Sequence, residues 1–104
     1  MIVFTITVLD IIGDPILGNR RTPAIFTSLE QAIRAVRDND GDLADDNLYQ
    51  YAVIEETLLD SIRPYVQCGE KLWFKYNSVL GEFEEIPQSK VPPHIARLYG
   101  FGIG

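Results

Sequence analysis

Phe4, Ile6 and Val8 alternate with Thr5 and Thr7 along "IVFTITVL", residues 2 to 9. Neighbouring side chains of a strand point to opposite faces, so this period of two, rich in β-branched residues, predicts an amphipathic first strand. After Thr27 the period changes. Leu29, Ala32, Ile33 and Val36 recur at i, i+3, i+4 and i+7, which lines one face of a helix. Thr27 with Glu30, or Ser28 with Gln31, forms a capping box at its start. An end near Asn39 to Gly41 is expected, with Gly41 taking the left-handed conformation that closes a helix. Arg34 and Arg37 fall on the outer side near that end, where positive charge suits the helix dipole.

Further along, "LYQYAVIEE" sets Tyr49, Tyr51 and Val53 against Ala52 and Ile54, the signature of a largely buried, central strand. "KLWFKY" and "GEFEEI" read as two strands joined by a hairpin loop from Asn77 to Gly81. "LLDSIRPY" reads as a turn or short extended piece halted before Pro64. In "RLYGFGIG", Tyr99, Phe101 and Ile103 point one way while Gly100, Gly102 and Gly104 leave the other side bare, as in a last strand with a flat face. Two segments look like connectors. "DIIGDPILGNRRTP" holds Gly13, Asp14-Pro15, Gly18-Asn19 and Pro23, and "PQSKVPPHIA" is rich in proline.

The expected order is β-α-β-β-β-β, an α+β fold with a single helix packed on a mixed, mostly antiparallel sheet of about five strands. The crossover carrying the helix is expected to be right-handed. One helix of about three turns covers only part of one sheet face. The opposite face must then be polar, lie under the long loops, or meet another subunit.

Composition narrows the function. With 104 residues and neither an internal repeat nor a Gly/Ser linker, residues 1–104 are expected to form a single small domain. The hydrophobic share of 46% and the charged share of 23% are those of a globular chain. Fifteen acidic against nine basic side chains give a net charge of −6, which disfavours direct binding to nucleic-acid phosphates. The same charge suits a basic protein surface, including one that normally holds nucleic acid. The apolar start lacks a basic leader and a small-residue cleavage pattern, so no signal peptide is expected. No apolar run reaches the roughly 20 residues of a membrane span. The lone cysteine, Cys68, has no intrachain disulfide partner, which suits a reducing, cytoplasmic setting.

Several residue sets invite a chemical reading. Arg20 and Arg21 lie in a glycine-containing stretch ahead of the strand-like "AIF" and the helix. Guanidinium forks hold carboxylates and phosphates, so the pair offers an anion site or a solvated, salt-bridged loop. Asp38, Asp40 and Asp42 imitate a calcium loop, but the glycine and the bidentate glutamate are misplaced, so no metal is expected. Glu55-Glu56 and Glu84-Glu85 are adjacent pairs that strands turn to opposite faces, which makes no carboxylate dyad. His94 and Cys68 carry no zinc or nucleophile signature. Trp73 and Lys75 share one side of their strand; on an open face Trp73 would be an interface anchor. The glycine side of "YGFGIG" invites close approach by a backbone, a helix or a ligand.

The order of "NRR", "F.SLEQA", "YAVIEE", the "WFKY" to "GEFEEI" hairpin and the glycine-rich "FGIG" resembles a group of short uncharacterised bacterial proteins, some from mobile elements. The resemblance covers most of the chain and implies an independent small α+β domain. It implies no activity, cofactor or functional residue.

Three functions follow in order. The first is a noncatalytic protein-interaction module, as a homodimer or against another protein, using a sheet face with Trp73, Lys75, Gly100 and Gly102 or the arginine loop. The second is a binder of a small anionic nucleotide or metabolite, held by Arg20 and Arg21 with Trp73 stacking nearby. The third, an enzyme, would have to unite distant residues such as His94, Cys68 and a glutamate. No cofactor and no membrane partner are expected.

Overall fold

The computed structural model of the chain describes residues 2–10, 20–45, 48–58 and 67–92. Five strands, β1 (Ile2–Leu9), β2 (Arg20–Phe26), β3 (Tyr51–Leu58), β4 (Gln67–Asn77) and β5 (Glu82–Ile86), form one sheet in the order β2-β1-β3-β4-β5. Each adjacent pair is antiparallel. The helix α1 (Leu29–Arg37) joins β2 to β3. Those two strands flank β1 on either side, so both oppose β1 and run parallel to each other. The connection carrying the helix therefore spans β1, and the α+β class with one helix on a five-stranded sheet stands.

One strand falls where the sequence suggested a loop. "RRTPAIF" pairs with β1 as an edge strand, and Pro23 does not prevent this. At an edge the missing N–H of proline faces away from the ladder, so no sheet hydrogen bond is lost. A register shift between Ile6 and Val8 accommodates the local irregularity. The element order is thus β-β-α-β-β-β over the described residues. The strand expected in "RLYGFGIG", with Gly100 and Gly102, lies outside the described residues.

The helix begins as its capping pattern predicts. Ser28 is the extended N-cap, and its Oγ accepts a hydrogen bond from the Gln31 N–H at 3.4 Å. Ala32, Ala35 and Val36 are buried, while Arg34 and Arg37 occupy the last turn and are exposed. Closure comes earlier than Gly41. Asn39 is the first residue with positive φ, at 50°, and Gly41 at 62° and Asp42 at 55° follow. Asparagine tolerates this region better than most side chains, and Asn39 Oδ1 accepts the Ala44 N–H at 2.9 Å, tying the turn down.

Alternation then divides the sheet into two faces. Ile6, Val8, Ala52, Ile54, Phe74 and Phe83 join Ala32, Ala35 and Val36 of the helix in one buried cluster. Tyr76 and Phe83, cross-strand neighbours, place their ring centroids 5.0 Å apart in a tilted pair. On the other face Leu9, Tyr51, Val53, Trp73 and Val91 form a second cluster, with Ile86 packed against it. Val91 reaches this face through Pro87 and a short 3-10 turn, Gln88–Lys90. The proline-rich connector thus contributes to packing beyond simply linking elements.

Candidate functional site

The second sheet face, expected to be polar, to lie under loops or to meet another subunit, is closed from water over β1 and β3. Thr5 and Thr7, which alternation placed away from Ile6 and Val8, are 1% and 0% exposed. Their hydroxyls are satisfied within the protein: Thr5 Oγ1 donates to the Glu55 carbonyl at 3.4 Å, and Thr7 Oγ1 lies 2.9 Å from Thr22 Oγ1. Glu55, on the central strand opposite Thr5, is itself buried. This is a polar layer closed from water. Glu55 Oε1 accepts no hydrogen bond here, although Glu55 has another interaction, and a buried polar atom without a hydrogen bond costs about 1–3 kcal/mol.

Trp73 belongs to this layer. At 2% exposure it is buried beside Val53 on β3 and Ile86 on β5, so it is not the open-face anchor that its strand position suggested. Its neighbours are apolar on both sides, and burial of a large ring against them outweighs leaving it in water. Its indole nitrogen Nε1 is buried without a hydrogen-bond partner. Lys75, on the same side of β4, remains exposed. A cleft of about 350 Å³ borders Trp73 where β4 and β5 meet the 3-10 turn, lined by Lys71, Leu72, Glu85, Ile86, Pro87 and Gln88 as well.

The structure does not bring Arg21 to Trp73. Arg21 stacks its guanidinium over the Tyr49 ring, 5.6 Å from the centroid, within cation–π range. Tyr49 belongs to the helix-side cluster and Trp73 to the opposite one. Between β2 and β4 lie β1 and β3, three steps of about 4.8 Å and so roughly 14 Å. Arg20 aligns with Leu9 in the β1–β2 ladder. A ligand cannot therefore touch Arg21 and stack on Trp73 together.

The β4–β5 hairpin holds what periodicity overlooked. Val79 is 91% and Leu80 60% exposed at its tip, where Gly, Pro, Asn, Asp and Ser are the usual residues. The tip is firmly built. Asn77 Oδ1 accepts the N–H groups of Val79 at 3.0 Å and Leu80 at 3.3 Å, and Asn77 Nδ2 donates to Glu84 Oε1 at 3.0 Å. The Gly81 N–H closes the turn on the Asn77 carbonyl at 2.8 Å, with φ at 71°. Two adjacent aliphatics inside a turn were the available sequence signal. Glu82, Glu84 and Glu85 beside the tip are exposed.

Among the described residues no group of three or more His, Cys, Asp or Glu is placed to hold a metal. No helix among them is long and apolar enough to cross a membrane. His94 lies outside the described residues, and Cys68 sits on β4. No family model matches the chain, and no curated protein or solved structure matches it.

Proposed function

We propose that the protein is a noncatalytic protein-interaction module that grips a protein partner with the tip of its β4–β5 hairpin. The observation that carries this reading is the pair Val79 and Leu80, 91% and 60% exposed, on a turn held by the Asn77 side chain. Isolated exposed aliphatics are ordinary on any surface. Two neighbours projecting from a stiff turn are a different matter, because full burial of each is worth about 1.5–3 kcal/mol. A turn already in its bound form loses little further entropy on docking.

Charge defines the partner. Glu82, Glu84 and Glu85 flank the tip, and the chain carries −6 overall. The matching surface is an apolar pocket with a basic rim, where complementary charge speeds encounter and fixes orientation. That agrees with a modulator occupying a basic site on its target.

The test compares the wild-type chain with a Val79→Ser/Leu80→Ser variant. Both are used for quantitative affinity capture, each captured protein is then purified and its Kd measured directly, and light scattering follows self-association. Neither side chain is in the core, so the variant keeps the wild-type melting temperature. A partner, whether another protein or a second copy, should bind about tenfold or more weakly to the variant, equivalent to the loss of about 1.4 kcal/mol. Equal affinity of both proteins for every partner overturns the reading.

A further inference from the structure

Building on the hairpin-tip reading, we infer that Glu82 is the anion by which the tip recognises its protein partner. The partner's counterpart is a guanidinium or ammonium at the rim of the apolar pocket that takes Val79 and Leu80. Distance makes the first distinction among the glutamates. Glu82 opens β5 and follows Leu80 by two residues. Each residue spans at most about 3.5 Å, so the Glu82 backbone stays within about 7 Å of the exposed aliphatics. Along β5 the rise is about 3.3 Å per residue, which carries Glu84 about 7 Å and Glu85 about 10 Å beyond Glu82.

The β4–β5 ladder makes the second distinction. Glu84 stands directly across from Lys75, and its Oε1 accepts a hydrogen bond from Asn77 Nδ2 at 3.0 Å. Its charge is thus offset within the hairpin, and the exposed Lys75 repels any partner cation that approaches it. Glu85 stands across from Phe74 of the helix-side cluster, on the sheet face opposite to Glu82 and Glu84. Glu82 is exposed and stands across from Asn77, which carries no charge. Asn77 also ties Glu82 to the tip: it pairs with Glu82 in the ladder, while its side chain accepts the Val79 and Leu80 N–H groups. Two aliphatics and a carboxylate are therefore presented together in a preformed arrangement, which lowers the ordering cost of docking.

The probes are neutral β-cyclodextrin, an apolar pocket, and β-cyclodextrin with one amine on its rim. Each is titrated at low salt into the isotope-labelled full chain, and the Val79 and Leu80 amide resonances are followed. Both should shift these resonances saturably, and the amine form should bind about threefold more tightly, within the range of one exposed charge pair. Glu82→Gln should remove most of that advantage. Glu84→Gln has the same net charge and still accepts from Asn77, so it should lose clearly less. An advantage that survives Glu82→Gln overturns the proposal. An equal loss in both variants also overturns it, since only net charge would then be at work. A tip that binds both cyclodextrins equally overturns the assignment of Glu82 and leaves the hairpin reading standing, because the Kd comparison with Val79→Ser/Leu80→Ser decides that reading separately. Tip amides that neither cyclodextrin moves overturn the proposal as well.

Discussion

Replacing Asn77 by alanine tests whether the hairpin tip is held by a side chain or merely by its turn backbone. The substitution removes three hydrogen bonds: those to Oδ1 from the Val79 and Leu80 N–H groups and that from Nδ2 to Glu84 Oε1. All three are exposed, so water replaces them in part and each is worth about 0.5 kcal/mol, the low end of the usual net value. The sum is about 1.5 kcal/mol. For a chain of 104 residues this corresponds to a melting temperature lower by about 6 °C. Thermal unfolding followed by circular dichroism reads that shift, and hydrogen exchange reads the cause. The Val79 and Leu80 amides should exchange faster in Asn77→Ala, while amides of β1 and β3 keep their relative order of protection. Asn77→Asp is the informative companion, since it retains an Oδ1 that accepts both N–H groups but sets a carboxylate against Glu84. Its tip amides should stay protected although the melting temperature falls. If Asn77→Ala melts within about 1 °C of wild type with unchanged exchange at Val79 and Leu80, Asn77 does not organise the tip and the preorganisation argument fails.

Two further substitutions probe the backbone and the buried polar layer. A Cβ at Gly41 or Gly81 meets nothing within 4 Å, and the two residues have φ of 62° and 71°, so Gly41→Ala and Gly81→Ala each report backbone strain alone. Each should cost about 1 kcal/mol in urea unfolding, and the double variant about twice that because the sites share no contact; a stabilised single variant contradicts the φ assignment. For the buried layer, Thr7→Val and Thr22→Val each break the 2.9 Å contact between the two hydroxyls. Each residue also has a further interaction, so only the double-mutant cycle isolates the pair, with an expected coupling of about 0.5–1 kcal/mol. Strict additivity would mean that the two hydroxyls do not stabilise each other.

Much of the architecture is legible as local pattern. Ser28 caps α1 because its position and that of Gln31 are set by four consecutive residues, and of the i, i+3, i+4, i+7 stripe Ala32 and Val36 are buried and Ile33 half-buried, while Leu29 in the first turn is exposed. The β4–β5 hairpin is likewise local, with a turn from Asn77 to Gly81. Even the partition of side chains follows from a period of two: Ile6, Ile54 and Phe74 fall in one cluster, Val53 and Trp73 in the other. The α+β class, the helix and most strand positions therefore rest on information held within a few residues.

What needed the tertiary structure is what lies between distant segments. "RRTPAIF" is a strand only because β1 presents an edge to it, and Pro23 is harmless only because that edge is the last in the sheet. Alternation sorts residues into two sets but does not say which set meets water. Thr5, Thr7 and Glu55 look like a solvated face and are closed from solvent, while Trp73 looks like an open anchor and is buried. Val79 and Leu80, apolar enough for a core, stand exposed because the turn carries them away from both clusters. The sequence alone determines periods, caps and turns, since these depend on neighbours in the chain. Sheet order, edges, the burial of each face and the separation of Arg21 from Trp73 depend on contacts far apart in sequence, and only their mutual packing decides them.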